Sequence, residues 1–259
     1  MTKEERHTAI LDSLLKQGSV LVTDLASRLE VSSVTIRKDL TDLEKEGKLY
    51  RSHGKAIIIN PFTNNRTVSE KEMLNTEEKR LIGLEASKLI TPDDSIVLAS
   101  GTTIHAMARN MRPENRLTVV TASLQVAEVL APFENVELIQ LGGNVRHTSL
   151  SVVGKYAEMI LAGFSFSKLY LGVDGIDLDF GLSTTDMREA EINRAMMKSA
   201  QKIIVLADST KFGRRGFAKI CNMEDIDMII TDNRLPQPTR DQIEAMGIEL
   251  IIANGDKQN

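Results

Sequence analysis

The stretch Val31-Ser32-Ser33-Val34-Thr35-Ile36-Arg37-Lys38-Asp39-Leu40 constrains the chain most. Ser32 can cap a helix, because its hydroxyl can accept a hydrogen bond from an unpaired first-turn amide. Ile36, Leu40 and Leu43 then fall at i, i+4 and i+7 and line one face. At about 100° per residue, Val34, Arg37, Lys38 and Thr41 project from the other face. Such a helix buries a narrow apolar stripe and turns a basic, hydroxyl-bearing surface outward. Alone it could be an ordinary solvated amphipathic helix, so its neighbours decide.

Upstream, Thr23 to Leu29 forms a short helical pattern with Leu25, Ala26 and Leu29 on one side. Glu30-Val31-Ser32 leaves room only for a tight turn, which makes a helix-turn-helix with its second helix placed for a major groove. Downstream, Gly47 can end the helix in a left-handed conformation. Lys48 to Ile59 then reads as two short strands around a glycine turn, a wing carrying Arg51, His53 and Lys55. Before these pieces, Lys3 to Gln17 reads as a helix buried through Ile10, Leu11, Leu14 and Leu15 and ended by Gly18, with Val20 and Val22 in an extended link. A winged helix-turn-helix over residues 1–59 follows. Ser32, Ser33, Val34, Thr35, Arg37, Lys38, Thr41, Arg51, His53 and Lys55 are expected to face DNA.

The chain resembles the DeoR family of bacterial transcriptional regulators. The residues carrying the likeness are Val31-Ser32, Thr35-Ile36-Arg37-Lys38-Asp39-Leu40, Leu43-Glu44, Gly47 and Arg51-Ser52-His53-Gly54-Lys55-Ala56. Lys38 stands where the family usually has a second arginine, keeping the charge without the bidentate fork. Lys55 replaces a glycine and adds a charge to the wing.

The 259 residues leave room for a second domain. Residues 60–75 begin with a polar, turn-rich stretch and read as a linker. From Thr76 to Ile90 a helical pattern returns, which could pack on the second domain or serve assembly. Apolar runs follow at Ile96–Ala99, Leu117–Thr121, Val136–Leu141, Lys168–Val173, Ile203–Ala207, Met228–Thr231 and Ile248–Ile252. Helical patterns separate most of them, which predicts an α/β domain over 76–259 with a mainly parallel sheet covered on both faces.

Ligands of such sheets bind beyond the carboxyl ends of the strands. Those ends carry Ser100-Gly101-Thr102-Thr103, Thr121-Ala122-Ser123, Gly142-Gly143, Asp174-Gly175 and Asp208-Ser209-Thr210-Lys211. A glycine and hydroxyls opening a helix suit an anion, although a plain capped turn would look the same. Asp186 and Glu189 have the spacing of a capping box, a structural role that competes with a ligand role for Glu189; Glu191 lies outside the box. Lys211 could give a point charge to a phosphate or be an ordinary surface lysine. Expected effector contacts are Ser100, Gly101, Thr102, Thr103, Thr121, Ser123, Gly142, Gly143, Asp174, Gly175, Glu189, Glu191 and Lys211. The same segments, with Arg188-Glu189-Ala190-Glu191, resemble the C-terminal half of the DeoR family, except that Ala122 stands where the family usually has asparagine. The resemblance implies a ribose-5-phosphate isomerase-like fold that senses phosphorylated sugars or related metabolites.

The implied function is a DNA-binding repressor of a sugar or related operon, released from its operator by a phosphorylated sugar. The alternatives are a sugar-phosphate isomerase carrying an accessory DNA-binding domain, or an activator; a catalyst has no use for the wing. A single winged helix offers a small footprint, so a homo-oligomer of at least two copies is expected. The net charge of −4 argues against indiscriminate coating of nucleic acid. No apolar run approaches the roughly 20 residues that span a membrane, no apolar signal core follows Met1, and Cys221 is the lone cysteine. A cytoplasmic protein without a metal or cofactor is therefore expected.

Overall fold

The computed structural model describes residues 1–17, 19–45, 48–52, 54–58 and 66–254. The readings made for Gly18, Gly47, His53 and 60–65 lie outside them. The chain divides into two compact units, Met1–Asn64 and Asn65–Asn259.

In the first unit, α1 (Lys3–Gln17) leads through β1 (Ser19–Leu21) to α2 (Val22–Arg28) and α3 (Ser33–Lys45). β2 (Leu49–Ser52) and β3 (Lys55–Ile58) complete an antiparallel sheet in the order β1-β3-β2. Ile10, Leu14, Leu25, Ile36, Leu40, Leu43 and Leu49 are fully buried together. The helical spacing of Ile36, Leu40 and Leu43 produces this, since only one face of α3 meets the other helices. Ser32 accepts from the Thr35 amide at 3.1 Å and caps α3. Asp39 is the buried charge of α3. It receives two hydrogen bonds from the Arg6 guanidinium, at 2.7 and 3.0 Å, which tie α1 to α3.

The second unit begins with α4 (Val68–Glu72) and α5 (Thr76–Ser87). Residues 60–75 were expected to be linker throughout; 68–72 are instead helical. Thr67 and Glu70 close a reciprocal capping box that stabilises this single turn. Five residues are too few to show a period in sequence. The helix expected from Thr76 packs inside this unit through Ile82 and Ala86.

The remaining elements are β4 (Ser95–Leu98), α6 (Thr102–Asn110), β5 (Leu117–Thr121), α7 (Leu124–Leu130), β6 (Val136–Gln140), β7 (Asn144–Arg146), β8 (Ser151–Val153), α8 (Lys155–Leu161) and β9 (Phe166–Gly172). They continue through β10 (Gly175–Asp177), β11 (Gly181–Thr184), α9 (Met187–Lys198), β12 (Ala200–Leu206), β13 (Ala218–Cys221), β14 (Met228–Asp232), α10 (Gln237–Ala245) and β15 (Glu249–Ala253). Seven strands pair in parallel in the order β15-β14-β12-β9-β4-β5-β6. The seven apolar runs of the sequence supply these strands. The antiparallel pairs β7-β8 and β10-β11-β13 are additions that short, mixed-polarity segments did not announce.

The order places a topological switch between β4 and β9. From β4 the chain builds outward through β5 and β6, then returns to the other side of β4 with β9. The following loops diverge there and leave a crevice. Gly172 ends β9 where a Cβ would lie 2.9 Å from the Ser100 carbonyl, so the two loops approach closely.

Candidate functional site

On the first unit, Val34, Arg37 and Lys38 are exposed on the side of α3 away from its buried leucines, and Val34 keeps 70% of its surface in solvent. Neither Arg37 nor Lys38 makes a side-chain hydrogen bond or ion pair among the described residues. Long cations held free on a helix face can reach phosphates and base edges, and an apolar tip such as Val34 suits a thymine methyl. Ser32 is exposed, Ser33 and Thr35 are half-buried, and the Thr41 hydroxyl donates back to the Arg37 carbonyl at 2.7 Å. In the wing Lys55 is exposed, while Arg51 is clasped by Glu44 at 2.7 Å.

On the second unit a pocket opens at the switch point. Its floor comes from Ser100 to Thr103 after β4 and from Gly172 to Asp174 after β9. Gly101 takes φ +123 to start α6, and no side chain caps that helix, so its first-turn amides remain available to a ligand. Four cationic side chains line the pocket: Arg66, Lys71, Arg146 and Lys211. Two carboxylates, Asp174 and Glu189, face them.

Asp174 receives Lys71 Nζ at 2.6 Å and the Thr184 hydroxyl at 3.1 Å. Burial pushes this carboxyl up, but the charges of Lys71 and Lys211 with these hydrogen bonds hold it well below the usual carboxylate range. Glu189 receives Arg146 at 3.0 Å and lies 3.1 Å from the Thr184 hydroxyl, whose single proton it shares with Asp174. Arg146 also meets Asp186 at 3.1 Å. Asp186 caps α9 through the amides of Arg188 and Glu189. The capping box is therefore half made: Glu189 turns into the pocket instead of back to its cap.

Lys211 differs from its neighbours. It sits on the single turn Ser209–Lys211, held by Asp208, which accepts from the Thr210 amide and from Asn75 Nδ2 at 3.0 Å. Its ammonium makes no hydrogen bond among the described residues, and burial lowers its pKa.

Of the residues singled out in sequence, Ser100, Gly101, Thr102, Thr103, Asp174, Glu189 and Lys211 meet in this pocket. Others stand elsewhere for identifiable reasons. The Thr121 hydroxyl donates to the Leu98 carbonyl at 2.7 Å and accepts from the Ser123 amide, while Ser123 caps α7. Gly143 lies at φ +151, where a Cβ would press on Val152 and Val153; it and exposed Gly142 serve the entry to the β7-β8 hairpin. Gly175 admits the Arg214 carbonyl, 2.6 Å from where its Cβ would be. Glu191 is on the outer face of α9, away from the pocket. Sequence reasoning missed Arg66, Lys71, Arg146, Thr148, Ser149, Thr184 and Asn193. They come from the presumed linker, the unforeseen hairpins and a helix interior, and only the basic character of the first three could have drawn attention.

Comparison with known proteins covers both units. The model of the DeoR-like helix-turn-helix domain matches residues 6–62, and that of the DeoR C-terminal sensor domain matches residues 74–233. A protein of Escherichia coli O157:H7, named for transcriptional repression of an aga operon, is 41% identical over 250 residues, covering 96% of this chain and 93% of that protein. The transcriptional repressor GlcR of Bacillus subtilis is 30% identical over 257 residues, covering 99% of each. Among solved structures, ribose 5-phosphate isomerase A of Methanocaldococcus jannaschii aligns with a TM-score of 0.40 at 17% identity, covering 53% of this chain and 55% of that one. The chain belongs to the DeoR family of transcriptional regulators, with the family's helix-turn-helix domain followed by its sensor domain.

Proposed function

We propose that the chain is a cytoplasmic, homo-oligomeric repressor of a carbohydrate operon, released from double-stranded operator DNA by a phosphorylated sugar. One observation carries the effector class. The pocket is lined by four cationic side chains against two carboxylates, with Asp186 also on Arg146, which leaves net positive charge beside an uncapped helix start. A phosphate monoester brings about −1.5 to −2 charges at pH 7 and three acceptor oxygens, which suits that excess. Lys211, whose ammonium makes no hydrogen bond among the described residues, and the amides after Gly101 are suited to the phosphate. Asp174, Glu189 and Asn193 are suited to hydroxyls. The names of the relatives, one for repression of an aga operon and one for a transcriptional repressor, favour repression over activation.

The pocket binds and does not catalyse in this reading. An isomerase needs a base poised near the working pH. Asp174 is held ionised far below that range by Lys71 and Lys211, and Glu189 is engaged by Arg146 and Thr184. Free space within the pocket is only about 60 Å³, room for a few water molecules. The pocket opens to solvent, so a sugar phosphate either extends through its mouth or moves part of the lining. Of that lining, α4 follows the connection to the first unit and is held by Lys71–Asp174 and by Glu72 with His105 and Arg109. Its shift is a direct way to report occupancy.

The test is operator binding measured by fluorescence anisotropy while a panel of pentose and hexose phosphates is added. One member should release the DNA and raise the melting temperature of the sensor unit. Release by the unphosphorylated sugar at equal concentration, or turnover of a sugar phosphate, would refute the reading.

A further inference from the structure

Helix α8 is apolar on two sides. Ala157 and Leu161 are buried in the core of the second unit. Tyr156, Met159 and Ile160, at i, i+3 and i+4, form a second stripe on the outside, 73%, 62% and 38% exposed. A surface helix ordinarily turns polar groups to that side. Phe164, just beyond the helix, is 41% exposed and stacks on Phe166 at 5.6 Å. Beside the stripe, α8 and α9 enclose a shallow groove of about 350 Å³ whose walls include Glu158, Phe164, Glu191, Arg194 and Lys198.

Charged side chains of both signs border this face. Lys155, Glu158, Glu191 and Lys198 make no hydrogen bond or ion pair among the described residues. With Arg194, the border carries three cations and two carboxylates, so a two-fold axis through it can set carboxylates of one copy against cations of the other, the property an isologous interface requires. A nucleic acid or an acidic membrane surface would instead select one sign of charge.

We propose that the α8–α9 face is where a second copy of this chain docks. Tyr156 and Phe164, at 73% and 41% exposed, offer only part of the roughly 150–250 Å² an aromatic side chain can bury, so Met159, Ile160 and the charged border must supply the larger share of the ~800 Å² per partner of a standard interface. The inference draws on the proposed regulator only for the need of paired copies. It gives a role to Glu191, whose carboxylate points away from the effector pocket.

The test is sedimentation velocity on the full chain at micromolar concentration. The wild type is expected as a dimer or a multiple of one. Tyr156→Glu with Met159→Glu should halve the assembled mass and weaken association about thirtyfold or more, because central aromatic anchors dominate such contacts. Both side chains are exposed, so the melting temperature should hold. Glu191→Lys should weaken assembly, and Lys198→Glu added to it should restore it. Met159→Cys adds an exposed thiol to a chain whose Cys221 is buried. A short bis-maleimide should join copies through it faster than through Met246→Cys. A monomeric wild type, an undiminished mass in the double variant, or cross-linking no faster than at Met246 would overturn the proposal. Should the variants unfold, the cross-linking comparison still decides. Intact operator release by a monomer would sink only this inference; assembly without any effector response would sink only the sugar-phosphate reading.

Discussion

The two units expose their functional residues in opposite ways. The DNA-reading candidates lie within Ser32 to Lys55, and Arg37 and Lys38 stand in solvent without partners among the described residues. The pocket residues run from Arg66 to Lys211, and most of their charges are already paired: Lys71 with Asp174, Arg146 with Glu189 and Asp186. The difference follows from the ligands. A duplex is a large polyanion that must be met on a convex surface by free cations. A small anion must be enclosed, and enclosing charge is tolerable only where countercharges share the cavity. The first solution needs one helix and a hairpin. The second needs the ends of several strands.

If the units are separately built, damage to the core of one should spare the other. Arg6→Ala leaves Asp39 buried on α3 without the guanidinium that ties α1 to it, which destabilises the first unit. We expect calorimetry to show the transition of the first unit falling sharply while that of the second stays in place. An equal fall of both would mean that the two cores melt as one.

The ligand contrast predicts a crossed pair of effects. Lys211→Ala removes a charged donor worth about 1.5–3 kcal/mol, so the effector concentration for release should rise roughly tenfold to a hundredfold. Operator affinity without effector should not change. Arg37→Ala should do the reverse, costing about 1–3 kcal/mol of operator discrimination while effector affinity and melting temperature hold. Anisotropy titrations of both variants, with and without effector, check the pair. A Lys211 variant that loses operator binding, or an Arg37 variant that keeps it, would blur the division.

The division also explains what could be read in the sequence. Ile36, Leu40 and Leu43 carry a helical period that needs no distant partner, and the face opposite them follows at once. The seven parallel strands were legible because burial on both faces makes each a continuous apolar run. The rule that ligands bind beyond the carboxyl ends of parallel strands made Ser100 to Thr103 and Asp174 accessible to reasoning. Lys71 and Arg146 were not, because each sits on a segment too short to show a period and resembles a surface cation until its carboxylate partner arrives from elsewhere in the chain. Thr121 and Ser123 sit at the correct end of β5, yet their hydroxyls serve the strand-to-helix turn. Glu189 and Glu191 lie about 200° apart on α9, so one pocket could not take both; helical phase alone would have separated them.

The smallest expected effect sharpens the contrast through pH. Lys79 on α5 is buried, and its ammonium donates to the carbonyls of Lys71 and Leu74, closing the end of α4. Burial lowers its pKa from 10.5 to about 8, with the charge of Asp208 opposing the shift and those of Lys211 and Lys71 adding to it. Below about pH 8 the amine is charged both folded and unfolded, and the native state bears the full cost of burying it. Between about 8 and 10.5 the folded chain has released a proton that the unfolded chain still holds. Stability therefore rises with pH across that window. At about 1.4 kcal/mol per pH unit, the gain between pH 7 and 9 is on the order of 1.4 kcal/mol. Lys79→Met removes the titration and leaves the two carbonyls unpaired at every pH, so it shifts stability by a constant. The second unit of the wild type should gain on that of the variant by this amount from pH 7 to 9, with the first unit unchanged between the two proteins. A flat difference would show that Lys79 keeps its proton through access to water, and that the floor of α4 is more open than its contacts imply.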